Sequence, residues 1–257
     1  MTAAGLKSAE RPALAGTVVM SRHILRRDRV RMAVWLASIT LFLVYFMVAL
    51  TTVFDAAALQ GRAAVMRTPT GIIMGGPGFG LDHYTGPVAV ANEGTVYLVL
   101  ALSLMSIFHV VRHTRADEES GLAELVRASI VGRHATAIST MLTLAGNLLV
   151  IAVVSGLAMV AAGSDVPVVD SLAMTLGASA VALVFGAVAL VACQVSAHAR
   201  TAIGISLGLF GAAFVVQAAG NVRQHGGSPL SWLSPIAWAQ QSRAFVDLRW
   251  WPMLLSV

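Results

Sequence analysis

Five uninterrupted apolar runs organise this chain. They cover Met32–Phe54, Gly94–Val111, Ala137–Ala162, Val168–Cys193 and Thr201–Ala219. Each has about 18 residues or more, the length an α-helix needs to cross a hydrocarbon core roughly 30 Å thick. Asp170, in the first turn of the fourth, is the one Asp, Glu, Lys or Arg inside them. In lipid a helix can satisfy all its backbone donors and acceptors within one segment. The pattern predicts an all-α fold, a polytopic membrane helical bundle with five complete spans. A sixth begins near residue 250. There Arg249-Trp250-Trp251-Pro252 places interfacial indoles before a proline suited to a first helical turn. Too few residues follow to complete it, so the chain is expected to be a fragment, or a longer polypeptide cut here.

The polar stretches between the runs carry their own patterns. In MSRHILRRDRVR, from Met20 to Arg31, Arg22, Arg26 and Arg29 fall on one helical face, and Met20 and Ile24 share another. This suits an amphipathic helix on an anionic leaflet that feeds the first span. It divides the chain into an N-terminal segment, 1–31, and a transmembrane domain, 32–257. Between spans two and three, Leu122, Leu125, Val126 and Ile130 recur at helical spacing. Asp117, Glu118, Glu119, Glu124 and Arg127 occupy the remaining positions. The expected element is a short amphipathic helix whose apolar stripe rests on the membrane domain and whose acids offer a docking surface. Gly71–Gly80, GIIMGGPGFG, lacks the Lys-Ser/Thr ending of a phosphate loop and predicts a flexible external loop. The tail after Ala219 holds four of the five tryptophans and reads as short interfacial helices. Ala178, Ala182 and Gly186, and the pair Gly204 and Gly208, place small residues at helix-packing spacing.

Composition narrows the class further. Hydrophobic residues make up 57% and charged residues 11%, against about 25% charged in a soluble domain. The net charge of +5 comes from sixteen Arg and one Lys, Lys7. These charges flank spans, which excludes nucleic-acid binding and instead sets orientation. Lys7, Arg11, Arg22, Arg26, Arg27, Arg29, Arg31, Arg112, Arg115, Arg127, Arg133 and Arg200 lie on one side, and Arg62, Arg67, Arg223, Arg243 and Arg249 on the other. The excess predicts a cytoplasmic N-terminus in a multi-pass plasma-membrane protein. The first apolar run is too long for a cleaved signal. Cys193 is the one cysteine, so no internal disulfide forms.

Chemistry is sparse. His109, His113 and Asp117 follow at i, i+4 and i+8, a spacing able to ligate a metal. No HExxH and no second His pair supports them, so no metal site is assigned. No catalytic constellation of Ser, His and Asp is present, and Lys7 lies outside any Walker motif, so the chain is no ATPase and no enzyme. Asn147 and Gln217 are amides within spans, suited to bonding a neighbouring helix or, for Asn147, to touching cargo. The residues alone leave three classes open: a transporter driven by another subunit, a secondary transporter or channel subunit, and a membrane anchor.

The segment Asp117-Glu118-Glu119-Ser120-Gly121-Leu122-Ala123-Glu124-Leu125-Val126-Arg127, followed by Val131-Gly132-Arg133, resembles the coupling segment of ABC-2-type exporter permeases. Trp232-Leu233-Ser234-Pro235-Ile236-Ala237-Trp238-Ala239-Gln240-Gln241 and Arg249-Trp250-Trp251-Pro252 resemble the stretch before that family's sixth helix. The likeness is strongest to actinobacterial multidrug and polyketide-antibiotic exporters of the tetronasin type and runs from about Val18 onward. Leu122 stands where a basic residue is common there, and Ile130 where a proline is. The resemblance implies an elbow helix bearing Arg22, Arg26 and Arg29. It implies a coupling helix with Glu118, Glu119, Gly121, Glu124 and Leu125 docked on an ATP-binding subunit dimer. It also implies a second six-helix permease half, hydrophobic cargo, and ATP with Mg on the partner, with no cofactor in this chain.

Overall fold

A computed structural model describes residues 14–120, 132, 134–163 and 165–256. Within them five helices are long and apolar enough to cross a membrane. They are α1 (Thr17–Val53), α4 (Gly86–Glu119), α5 (Ala135–Ala162), α6 (Val168–Val195) and α7 (Ala199–Arg223). The short helices α2 (Ala56–Met66) and α3 (Pro69–Gly75) bridge α1 and α4, and α8 (Pro235–Gln240) follows α7. No strand occurs among the described residues. The result is the all-α bundle the apolar runs predict. Each run sits inside its helix, save Phe54 one residue past α1, and most of the helices extend past the runs because flanking residues continue the backbone ladder.

The first helix departs most from its run. It starts at Thr17, fifteen residues before Met32, and continues unbroken through the basic segment. The surface helix expected to feed the first span is therefore one helix with it. Arg22, Arg26 and Arg29 are exposed along it, as their spacing requires, while Ile24 and Asp28 are buried on the opposite face.

α6 is the hub, packed against α4, α5 and α7, while α1 lies along α5. Burial follows from this order. In its most apolar window α4 has 72% of positions buried, against 22% in α1 and 28% in α7. The exposed Val and Leu of α1, α5 and α7 are the surfaces that meet lipid acyl chains, where exposure carries no hydrophobic penalty. Ala178, Ala182 and Gly186 are buried in α6, and a Cβ on Gly186 would meet Leu144 of α5. The expected packing role of Gly204 and Gly208 is not seen: a Cβ on either would meet nothing within 4 Å. They lie on a face of α7 that touches no other part of the described chain.

Two segments between spans are more ordered than their sequence suggests. Asp55 caps α2, accepting from the Ala58 amide at 2.8 Å, and Thr68 caps α3 ahead of Pro69. The Gly-rich stretch is thus no flexible loop. Its first half is α3, and its second half is pinned by Asn92, whose amide accepts from Phe79 N–H at 2.9 Å and donates to Phe79 O at 2.7 Å. The tail folds back onto α7 at Gly220, where a Cβ would collide with the Ser231 backbone. Ser234 and Pro235 start α8, and Trp251–Ser256 forms a short 3₁₀ helix.

Candidate functional site

The bundle has two polar ends, one basic and one rich in tryptophan. At the basic end, α4 runs beyond its apolar core and its final turns tie three elements together. Arg27 of α1 donates to both Asp117 oxygens, at 3.0 and 2.9 Å. Arg115 donates to the Ala197 carbonyl at 3.0 and 2.5 Å and to Glu118 Oε2 at 2.7 Å. Glu119 Oε1 accepts from the Ala199 amide at 2.7 Å, and His198 Nδ1 lies 3.4 Å away. A carboxylate on the first amide of α7 suits the positive end of the helix dipole. Glu118 and Glu119 are both exposed at this end. Of the residues expected in a coupling helix, Gly121, Glu124 and Leu125 lie outside the described residues, as do Leu122 and Ile130.

Beneath this surface sits a buried group. His113 Nε2 is 2.7 Å from Asp28 Oδ2, and His109 Nδ1 is 3.7 Å from the same oxygen. Asp28 is 2% exposed and His109 1%. The i, i+4 spacing of His109 and His113 does place both on one face. Asp117 is not their inner partner; its carboxylate stands 3.9 Å from His113 Nδ1, on the far side of the ring. Asp28, from another helix, takes the inner position. Arg112 Nε approaches Asp28 Oδ1 at 3.5 Å.

The Trp-rich end is held by buried amides and indoles together with ion pairs. Gln240 accepts from Gln217 Nε2 at 2.7 Å and donates to Gly75 O at 3.3 Å, joining α8, α7 and α3. Asp170 accepts from the Phe245 amide at 2.7 Å. Trp238 Nε1 donates to Trp232 O, and Trp232 stacks on Trp251 with centroids 4.9 Å apart. Arg62 binds both oxygens of Glu93 and lies over Phe54. Tyr84 donates to Glu93 at 3.0 Å. Burial, then the Glu93 charge, pushes the Tyr84 hydroxyl far above its ordinary range, and Glu93 holds Arg62 more firmly protonated. A cavity of about 20 Å³ lies among Gly75, Asn92, Gln240 and Arg243, room for about one water. Asn147 is half-buried. This end has no open cargo chamber among the described residues.

The chain is 36% identical over 245 residues to the multidrug efflux system permease protein of Mycobacterium tuberculosis. The alignment covers 94% of this chain and 43% of that protein. The chain therefore spans less than half the length of the curated relative it matches. No family model matches it. Along most of its length, then, the chain is similar to part of a permease. Five helices of membrane-spanning length and composition fit a multi-pass membrane protein.

Sequence reasoning missed Asp28, Glu93 and Gln240. Asp28 is the lone acid in the run from Arg22 to Arg31, and one acid among five arginines is a visible anomaly. Ile24 and Asp28, at i and i+4, sit opposite the Arg stripe. That placement was the available signal of an inward face. Glu93 and Gln240 carried no such local mark.

Proposed function

We propose that this chain is the membrane-spanning permease part of an ATP-driven ABC exporter of the ABC-2 type, moving hydrophobic or amphipathic drugs or antibiotics out of the cell. The single observation that carries the reading is the 36% identity, along 94% of this chain, to a multidrug efflux permease. In this reading the basic end faces the cytoplasm of a plasma-membrane protein. Glu118 and Glu119, with Gly121, Glu124 and Leu125, meet an ATP-binding subunit dimer, and ATP with Mg is bound and hydrolysed there. A second six-helix half completes the pathway.

Geometry at the basic end supports that role. Glu119 and Arg115 link the last turn of α4 to the turn between α6 and α7. Arg27 and Asp117 link it to α1. A push on the segment after Glu119 would reach three helices through charge-assisted hydrogen bonds, which are stronger than neutral ones. The test is a detergent pull-down of the tagged chain expressed with its native neighbours, assayed for vanadate-sensitive ATP hydrolysis. A stoichiometric ATP-hydrolysing partner is expected. An intact, transport-competent complex that contains no ATPase would overturn the proposal in favour of a secondary transporter.

A further inference from the structure

We infer that Asp28, His109 and His113 form a binding site for one divalent transition-metal ion of the zinc class, which clamps α1 to α4. Among the described residues these three offer one ligand atom each within 4.8 Å of one another, and all three are buried. Two imidazoles and a carboxylate match the donor set of zinc, with a fourth position left for water.

The hydrogen-bond pattern argues that a cation belongs there. Thr143 Oγ1 donates its only proton to Ser139 O or Thr140 O, at 2.9 and 3.0 Å. Toward His109 Nε2, 3.3 Å away, it can only accept. His109 therefore carries its proton on Nε2 in the neutral form and presents a bare Nδ1 lone pair to Asp28. Neither Nδ1 nor Asp28 Oδ1 makes a hydrogen bond, although both are buried. A lone pair facing a carboxylate with no proton between them is repulsive, and a buried polar atom without a partner costs about 1–3 kcal/mol. A metal ion satisfies both at once.

The outer ring of contacts fits as well. Imidazole ligands of zinc usually donate their other N–H to a carboxylate or another oxygen, which fixes the ring. Thr143 fills that role for His109. Asp117 stands 3.9 Å from His113 Nδ1, ready to fill it for His113 once the ring turns Nε2 from donor to ligand. Tetrahedral ligand atoms about 2.0–2.1 Å from zinc stand roughly 3.3 Å apart, so shifts of about an ångström close the site. Arg112 is the nearest contrary charge to Asp28, and Arg27 and Arg31 stand near the imidazoles, with Arg27 neutralised by Asp117. Arg112 is 43% exposed on a flexible stem, so it can withdraw when an ion enters.

The test uses the purified chain in detergent, stripped with chelator and titrated with Co²⁺ and then Zn²⁺. Expected are one equivalent bound, visible Co²⁺ bands that Zn²⁺ abolishes, and a raised thermal midpoint. His109→Gln with His113→Gln should lose the bands, while His83→Gln with His225→Gln, at exposed positions, should keep them. If the inner double variant fails to fold, two milder variants carry the test. Asp117→Asn should weaken binding about 10–100-fold, and Arg112→Gln should tighten it. A wild-type chain that binds no more Co²⁺ than the inner double variant overturns the site. So does equal affinity in wild type, Asp117→Asn and Arg112→Gln, since a merely structural His–Asp contact predicts no such opposed shifts.

Discussion

The two polar ends of the bundle solve the same problem in different ways. Both must hold helix termini together where the apolar core stops. The Trp-rich end buries amides and indoles around a void of about one water and adds ion pairs around them, Arg62 with Glu93 and Asp247 with Arg243 and Arg249. The basic end uses ions: Arg27 with Asp117, Arg115 with Glu118, Glu119 on α7, and the buried Asp28 with two imidazoles. Neutral pairs have one good arrangement and lock it. Charged groups exchange partners at little cost near water, where an ion pair is worth about 0–1 kcal/mol. The contrast teaches that the ends differ in what they bury: an amide network at one, a carboxylate with two imidazoles at the other.

The largest expected effect breaks the comparison at the basic end. Glu119→Lys together with Glu124→Lys should reduce drug efflux to background while membrane insertion stays intact. Part of that loss at Glu119 is internal, because Lys cannot accept from the Ala199 amide. Glu119→Gln keeps an acceptor there and should retain folding and lose transport only partly. Efflux at the wild-type level in the double charge reversal would remove the docking role.

At the Trp-rich end the expected loss is stability. Gln240→Leu leaves Gln217 Nε2 and its own share of the Gly75 contact unpaired in a buried place, at about 1–3 kcal/mol for each orphaned group. The thermal midpoint in detergent should fall clearly. A variant as stable as wild type would show that the amide network does not hold the tail.

Two glycine substitutions sharpen the point within α7. Gly220→Ala drives a Cβ into the Ser231 backbone and should cost about 1–3 kcal/mol as overpacking. Gly204→Ala meets open space. It should be neutral or stabilise by up to about 1 kcal/mol, because alanine is the better helix former. Equal losses at both sites would mean that α7 packs differently along its length.

These residues also show how far sequence could be read. The five spans were legible because length and lack of charge in a span follow from bilayer thickness alone. The Arg stripe of α1 was legible for the same local reason. What local pattern could not give is which buried face meets which. Gly204 and Gly208 have the spacing of a helix interface and no neighbour in this chain. Gly220, with no motif around it, makes the close approach. Asp117 had the helical spacing to join His109 and His113, yet Asp28, more than eighty positions away from His113, took the inner place. Partners across that separation are set by the bundle order, and that order is decided by packing summed over whole helices. The Gly-rich segment misled for a related reason: it is held by Asn92, 13 positions beyond Phe79, and by Gln240, 165 positions beyond Gly75.

The smallest effect concerns Tyr84, at the edge of the Trp-rich end. Its hydroxyl is buried and bonded to Glu93, so ionisation would bring a second negative charge against the first. Its pKa in the folded state is raised above the unfolded value of about 10. The sign follows from linkage: the folded state keeps this proton longer, so the contribution to stability is whole below pH about 10 and is lost as pH rises through the folded pKa. A phenolate absorbance titration of the folded chain should therefore be unchanged by Tyr84→Phe through pH about 10, whereas in denaturant the same substitution should remove one phenol from the curve. A drop in the folded curve near pH 10 would mean that water reaches Glu93 and Tyr84. In that case burial at the Trp-rich end does not extend to Tyr84, and the contrast in what the two ends bury is narrower.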